Sequence, residues 1–154
     1  MLRPRLHRLS QALWTGGILA IDAVETPARF RAPGLDRNQK GAVGRVVFRA
    51  FNRYELGLAT VSLTTVGGTS RPRKAAVAAM AAAAVVQYLW VRPRMQELGE
   101  RLDFEDDERS DPRYSAFHRL HHVYVALDAV KLALGLATVA ASDDTTAANG
   151  ERST

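Results

Sequence analysis

Polar positions along this chain fall on narrow stripes inside long apolar segments. Between Phe117 and Ala141, residues His121, Tyr124, Asp128, Lys131, Gly135 and Thr138 recur at alternating steps of three and four, and nearly everything else is Leu, Val or Ala. That spacing lines one side of a helix. Phe48, Asn52, Glu55, Ala59 and Ser62 repeat it inside a segment running from Gly41 to Gly67, and His7, Gln11, Ile18, Asp22 and Glu25 share a side of the opening segment. A fourth segment, Ala75 to Val91, is uncharged for 17 residues. The pattern therefore predicts four helices. The first runs from about Leu6 to Val24 and is stopped by Pro27, and the third is limited by Pro93. Pro33-Gly34, Gly67-Gly68 with the basic turn after it, and Asp111-Pro112 mark the connections. No segment alternates with strand period.

The same stripes carry opposite meanings in two solvents. In water a polar stripe faces out and the apolar majority is buried; in lipid the majority faces out and the stripe turns inward. Apolar residues make up 47% of the chain, which suits either case. The slightly negative mean hydropathy comes from two polar stretches, residues 100–111 and 142–154, that lie off the helices. Asp22, Glu55, Asp128 and Lys131 interrupt three of the four segments, and each charge at a bilayer centre costs about 2.5 kcal/mol or more. Narrow faces let a bundle pair or neutralise them. The resulting expectation is an all-α, four-helix integral membrane bundle over residues 1–141 with a flexible polar tail over 142–154. Arg3, Arg5 and Arg8 before an apolar run resemble a secretion signal, but Asp22 and Glu25 at its exit make it a retained helix.

Charge adds an orientation. The net charge is +5, with arginines at segment ends rather than in one tract, so nucleic acid is not an expected partner. Membrane lipid is, with Arg45, Arg49 and Arg53 placed to meet phosphate headgroups, and with a second copy or another membrane protein as further partners. Thirteen Lys and Arg lie on the connections at one end of the bundle and seven at the other, which puts the former in the cytoplasm and both termini outside.

Two groups of residues carry chemistry. Asp22, Glu25, Asn52, Glu55, Asp128 and Lys131 form a prospective polar network between helices, with Asp128 and Lys131 one turn apart. His118, His121 and His122 form a cluster that would bind a metal or haem if Glu25, Glu55 or His7 completed it. Absence of cysteine excludes disulfides and thiolate sites. Ser10, Ser62 and Ser115 sit in no acylation motif, and the glycines form no phosphate loop. The leading reading is a structural or ion- and small-solute-handling membrane protein that requires no cofactor. A metal- or haem-binding membrane redox protein and a soluble helical interaction module compete with it.

Trp14, Gly16 and Gly17 in the opening helix, Pro27 and Phe30 after it, Gly41, Gly44 and Phe48 entering the second, Pro93 and Met95 in the later connection, and His118 or His121 entering the last occur in an order that resembles the bacterial domain of unknown function 4149. That group is similar in appearance to eukaryotic transmembrane protein 205. The resemblance covers approximately residues 6–140. It implies an integral protein of the bacterial cytoplasmic membrane and supplies no substrate or reaction.

Overall fold

The computed structural model describes residues 2–104 and 111–150, with side chains given as far as Ala141. Four helical rods pack antiparallel. The first comprises α1 (Leu2–Ala20), a π turn (Ile21–Glu25) and α2 (Thr26–Arg31); the second is α3 (Arg37–Thr65), ending in a 3-10 turn (Val66–Gly68). The third comprises α4 (Arg71–Val86), a π turn (Gln87–Val91) and α5 (Arg92–Glu100), and the fourth is α6 (Pro112–Gly150). α3 and α6 each lie beside both α1 and α4, so the rods form a closed square.

Two boundaries differ from the sequence expectation for one shared reason. Pro27 and Pro93 were expected to end their helices, yet both rods continue, to Arg31 and Glu100. Each proline sits in the first turn of a new α segment immediately after a π turn. A first-turn position has no need of the missing N–H, and the wider π winding takes up the altered register. The last helix also differs, since its backbone stays helical to Gly150, past the expected boundary at Ala141. Within the acidic stretch, residues 105–110 lie outside the described residues, as do residues 151–154 of the tail.

Local signals explain the turns. Gly34 takes φ +77°, a left-handed conformation that glycine adopts without cost. Asp36 then caps α3: its carboxylate accepts from Gln39 N at 2.7 Å, while the Gln39 side chain accepts from Asp36 N at 3.1 Å. Asn38 ties this corner to the stretch just after α5 by donating to Asp103 (2.7 Å) and accepting from Phe104 N (3.0 Å). Asp111 accepts from Arg113 N at 2.7 Å as α6 begins. The side-chain and backbone hydrogen bonds from Arg113 hold the Asp111 carboxyl below the ordinary carboxylate range.

The apolar core is small. Trp14 and Ile18 of α1, Ala59 of α3 and Met80, Ala81 and Ala84 of α4 form one buried cluster, and alanine on α4 keeps the rods close. Gly135 of α6 faces Thr15 of α1, where an added Cβ would collide with the threonine side chain, so the absent side chain sets that approach. Much of the rest of the interior is polar. Among the described residues, eleven buried side chains are polar or charged and eleven are hydrophobic, while twenty-one large hydrophobic side chains are exposed.

Candidate functional site

The centre of the bundle is a charged cluster built from all four rods. Lys131 of α6 is fully covered, and Glu55 of α3 is 1% exposed. The Lys131 ammonium donates to Glu55 Oε1 at 2.5 Å across the diagonal of the square, and reaches Asp128 Oδ1 at 2.8 Å one turn back on its own helix. The indole of Trp14 on α1 donates to the same Glu55 oxygen at 2.9 Å. From the third rod, Gln87 donates to Asp128 Oδ1 and to the Tyr124 carbonyl, both at 3.0 Å. The Tyr124 hydroxyl then donates to Asn52 Oδ1 at 2.9 Å, returning the network to α3.

Charge-assisted bonds such as these are about twice as strong as neutral ones and operate here away from water. Their balance is uneven. Two carboxylates bond one ammonium, and Asp22 adds a third carboxylate in electrostatic interaction with them, so the fully ionised centre carries excess negative charge. A proton shared among the acids reduces it.

The polar seam continues toward the chain's N-terminal end of the bundle. Gln11 of α1 accepts from Thr138 of α6 at 3.1 Å, Ser10 and Ser62 hydroxyls lie 2.9 Å apart, and Thr65 approaches His7 Nδ1 at 3.4 Å. In the interior His7 Nε2, Gln11 Nε2, Thr15 Oγ1, Asn52 Nδ2 and Gln87 Oε1 are buried without a hydrogen-bond partner among the described residues. Such groups cost free energy unless water or an exchanging ligand satisfies them.

Of the six polar residues singled out in the sequence, Asn52, Glu55, Asp128 and Lys131 come together here. Asp22 lies in the first π turn, solvent-exposed but in electrostatic interaction with Glu55, Asp128 and Lys131, and Glu25 instead pairs with Arg29 at 3.1 Å. Trp14 and Gln87 were missing from the expected network. Trp14 lies three residues after Gln11 and four before Ile18, so helical spacing marks it; Gln87, alone in an apolar run, carried no signal.

The histidines take another place. His118, His121 and His122 lie along the entry of α6, where His118 rests against Tyr114 (4.3 Å between ring centres) and His121 stacks on Phe117. His122 is 6.4 Å and 6.5 Å from the other two rings. His7, a suggested fourth ligand, sits beside Thr65 at the opposite end of the bundle, and Glu55 is held in the ion pair. Among the described residues no three His, Asp or Glu side chains gather where they would hold a metal ion.

A family model for a domain of unknown function, DUF4149, matches residues 9–102. The chain belongs to the DUF4149 family. The matched region holds Trp14, Asn52, Glu55 and Gln87, so three of the four rods of this DUF4149 protein contribute family positions to the centre. Asp128, Lys131 and the histidines of α6 lie beyond it. No curated protein and no solved structure matches the chain.

Proposed function

We propose that this DUF4149 protein is a four-pass integral membrane protein whose Glu55–Lys131–Asp128 centre binds and passes a proton inside the bilayer. The observation that carries the membrane half is the inverted distribution of side chains: leucines and valines cover the outside while, among the described residues, half of the buried side chains are polar or charged. Water rewards the opposite arrangement, and lipid rewards this one. Two rods, Arg71–Glu100 and Pro112–Ala141, are long and apolar enough to cross a membrane by themselves. The first and second carry Asp22 and Glu55 and would enter as partners of the others. The bundle end that carries the α2–α3 and α5–α6 connections, where the rod ends hold the larger number of Lys and Arg, would face the cytoplasm.

The proton half rests on the excess of carboxylates over ammonium at the centre, together with the polar atoms extending from it that have no partner among the described residues. Reconstitution into vesicles containing a trapped pH dye, with a potassium diffusion potential as the driving force, tests it. The protein is expected to speed proton entry. Glu55→Gln and Asp128→Asn each reduce the rate to that of protein-free vesicles. A wild-type protein no faster than empty vesicles would sink proton passage.

One observation favours a second reading, in which the centre is a register lock: the network engages every rod and Lys131 has no exposed surface. Replacing a complete buried ion group by apolar residues of similar size is often neutral or stabilising. Under the lock reading Glu55→Leu/Asp128→Leu/Lys131→Met therefore keeps both folding and every cellular role. Under the proton reading the fold survives and the flux is lost.

A further inference from the structure

A second polar feature lies apart from the buried centre. Arg49 and Arg53, one turn apart on α3, and Arg92 at the start of α5 line an open cleft of about 390 Å³ with Tyr88 and Gln96. Arg92 is fixed there by donating to the Arg45 carbonyl at 3.2 Å. Among the described residues no carboxylate lines the cleft and none of the three guanidiniums is paired with one. Like charges one helical turn apart repel, and a third guanidinium from the facing rod adds to that cost. An arrangement that gathers three cations around a concavity with a phenol and an amide suits an anion with several oxygens.

The neighbouring residues give the cleft its depth. Arg94 lies over the Trp90 ring at 4.5 Å, a pairing of aromatic and cation typical of the membrane–water boundary. On α4 and its π turn the uncharged run ends at Val91, one residue before Arg92. The cleft thus opens where the apolar surface stops.

We infer that the Arg49–Arg53–Arg92 cleft is a binding site for a phosphate oxyanion, whose source is either the headgroup of an anionic glycerophospholipid or a soluble phosphate. The lipid source rests on the bilayer reading above; the oxyanion chemistry does not. Arg49 and Arg53 supply forked donors from α3, Arg92 closes the opposite wall, and Tyr88 donates its hydroxyl.

Detergent-purified protein titrated separately with phosphatidylglycerol, phosphatidylcholine and inorganic phosphate, followed by tryptophan fluorescence, tests the site. Phosphatidylglycerol is expected to saturate the signal and phosphatidylcholine to leave it unchanged. Arg49→Ala/Arg53→Ala weakens binding by about 30-fold, taking roughly 1 kcal/mol for each basic residue near a lipid phosphate. Arg3→Ala/Arg5→Ala, the same charge change at the other end, has no effect. Arg49→Lys/Arg53→Lys keeps the charge without the fork and falls between. Inorganic phosphate that binds while the lipid does not would support the oxyanion site and assign it a soluble occupant. Equal binding of the two lipids, or an Arg49→Ala/Arg53→Ala protein that binds as the wild type does, would overturn the site. Separation of membrane and soluble fractions from the same cells reads the bilayer assignment independently.

Discussion

Replacing Lys131 with methionine is expected to destabilise the bundle by about 3–5 kcal/mol, the usual consequence of removing one partner from a buried ion pair. The size follows from what is left behind. Glu55 Oε1 loses its ammonium donor at 2.5 Å, Asp128 Oδ1 loses its own at 2.8 Å, and neither carboxylate can reach water. Methionine fills much of the lysine stem's volume, so the loss comes from charge rather than from a cavity. Neutralising the acids in the same protein, as Lys131→Met/Glu55→Gln/Asp128→Asn, recovers most of the loss, because the uncompensated charges are gone and the amides still hydrogen-bond. Reversible unfolding of detergent-solubilised protein, run as a mutant cycle, measures the coupling. A single Lys131→Met protein as stable as the wild type would mean that the ammonium is not held between the two acids.

The second large effect belongs to Trp14, which joins the apolar cluster to the charged one. Its ring is fully buried against Ile18, Ala59 and Met80, and its indole N–H is a donor to Glu55. Trp14→Ala removes both and should cost about 3–5 kcal/mol. Trp14→Phe keeps most of the apolar contact and removes the donor, leaving a cost of about 1–3 kcal/mol from the weakened solvation of Glu55. The split between the two variants, read in the same unfolding assay, separates packing from hydrogen bonding. Equal losses would assign the whole effect to the missing donor.

How much of this was legible in the sequence depended on whether a residue's side was fixed by regular helical winding. On α3 and α6 the winding is unbroken, and the stripes Asn52–Glu55–Ala59–Ser62 and Tyr124–Asp128–Lys131–Gly135–Thr138 are buried as the spacing predicts. His121, which begins the α6 stripe, is exposed. On the first rod the buried side follows the periodicity at His7, Gln11 and Ile18, while in the π turn Asp22 is exposed and meets the centre only through its charge, and Glu25 turns to Arg29. The same device carries Pro93 within a continuous rod. π turns leave little trace in residue pattern beyond the proline that follows them. The pairing of Glu55 with Lys131 across the square was out of reach for another reason: it depends on which rods are diagonal neighbours, which periodicity within one helix does not contain. Gln87 entered through the same three-dimensional arrangement.

The inverted distribution of side chains is the central claim, and accessibility measures it directly. The chain has no cysteine, so one introduced thiol reports one position. Leu13, Val130 and Leu136 are 46%, 51% and 52% exposed on three outward faces, and burial within the protein cannot shield a thiol there. Arg31, exposed at the end of α2, provides the reference. In native membranes, opened to admit a hydrophilic maleimide on both sides, Arg31→Cys is expected to react, and Leu13→Cys, Val130→Cys and Leu136→Cys to stay unmodified until the lipid is dissolved. Prompt reaction at all four positions, with the protein recovered free of membranes, would contradict the lipid-facing surface.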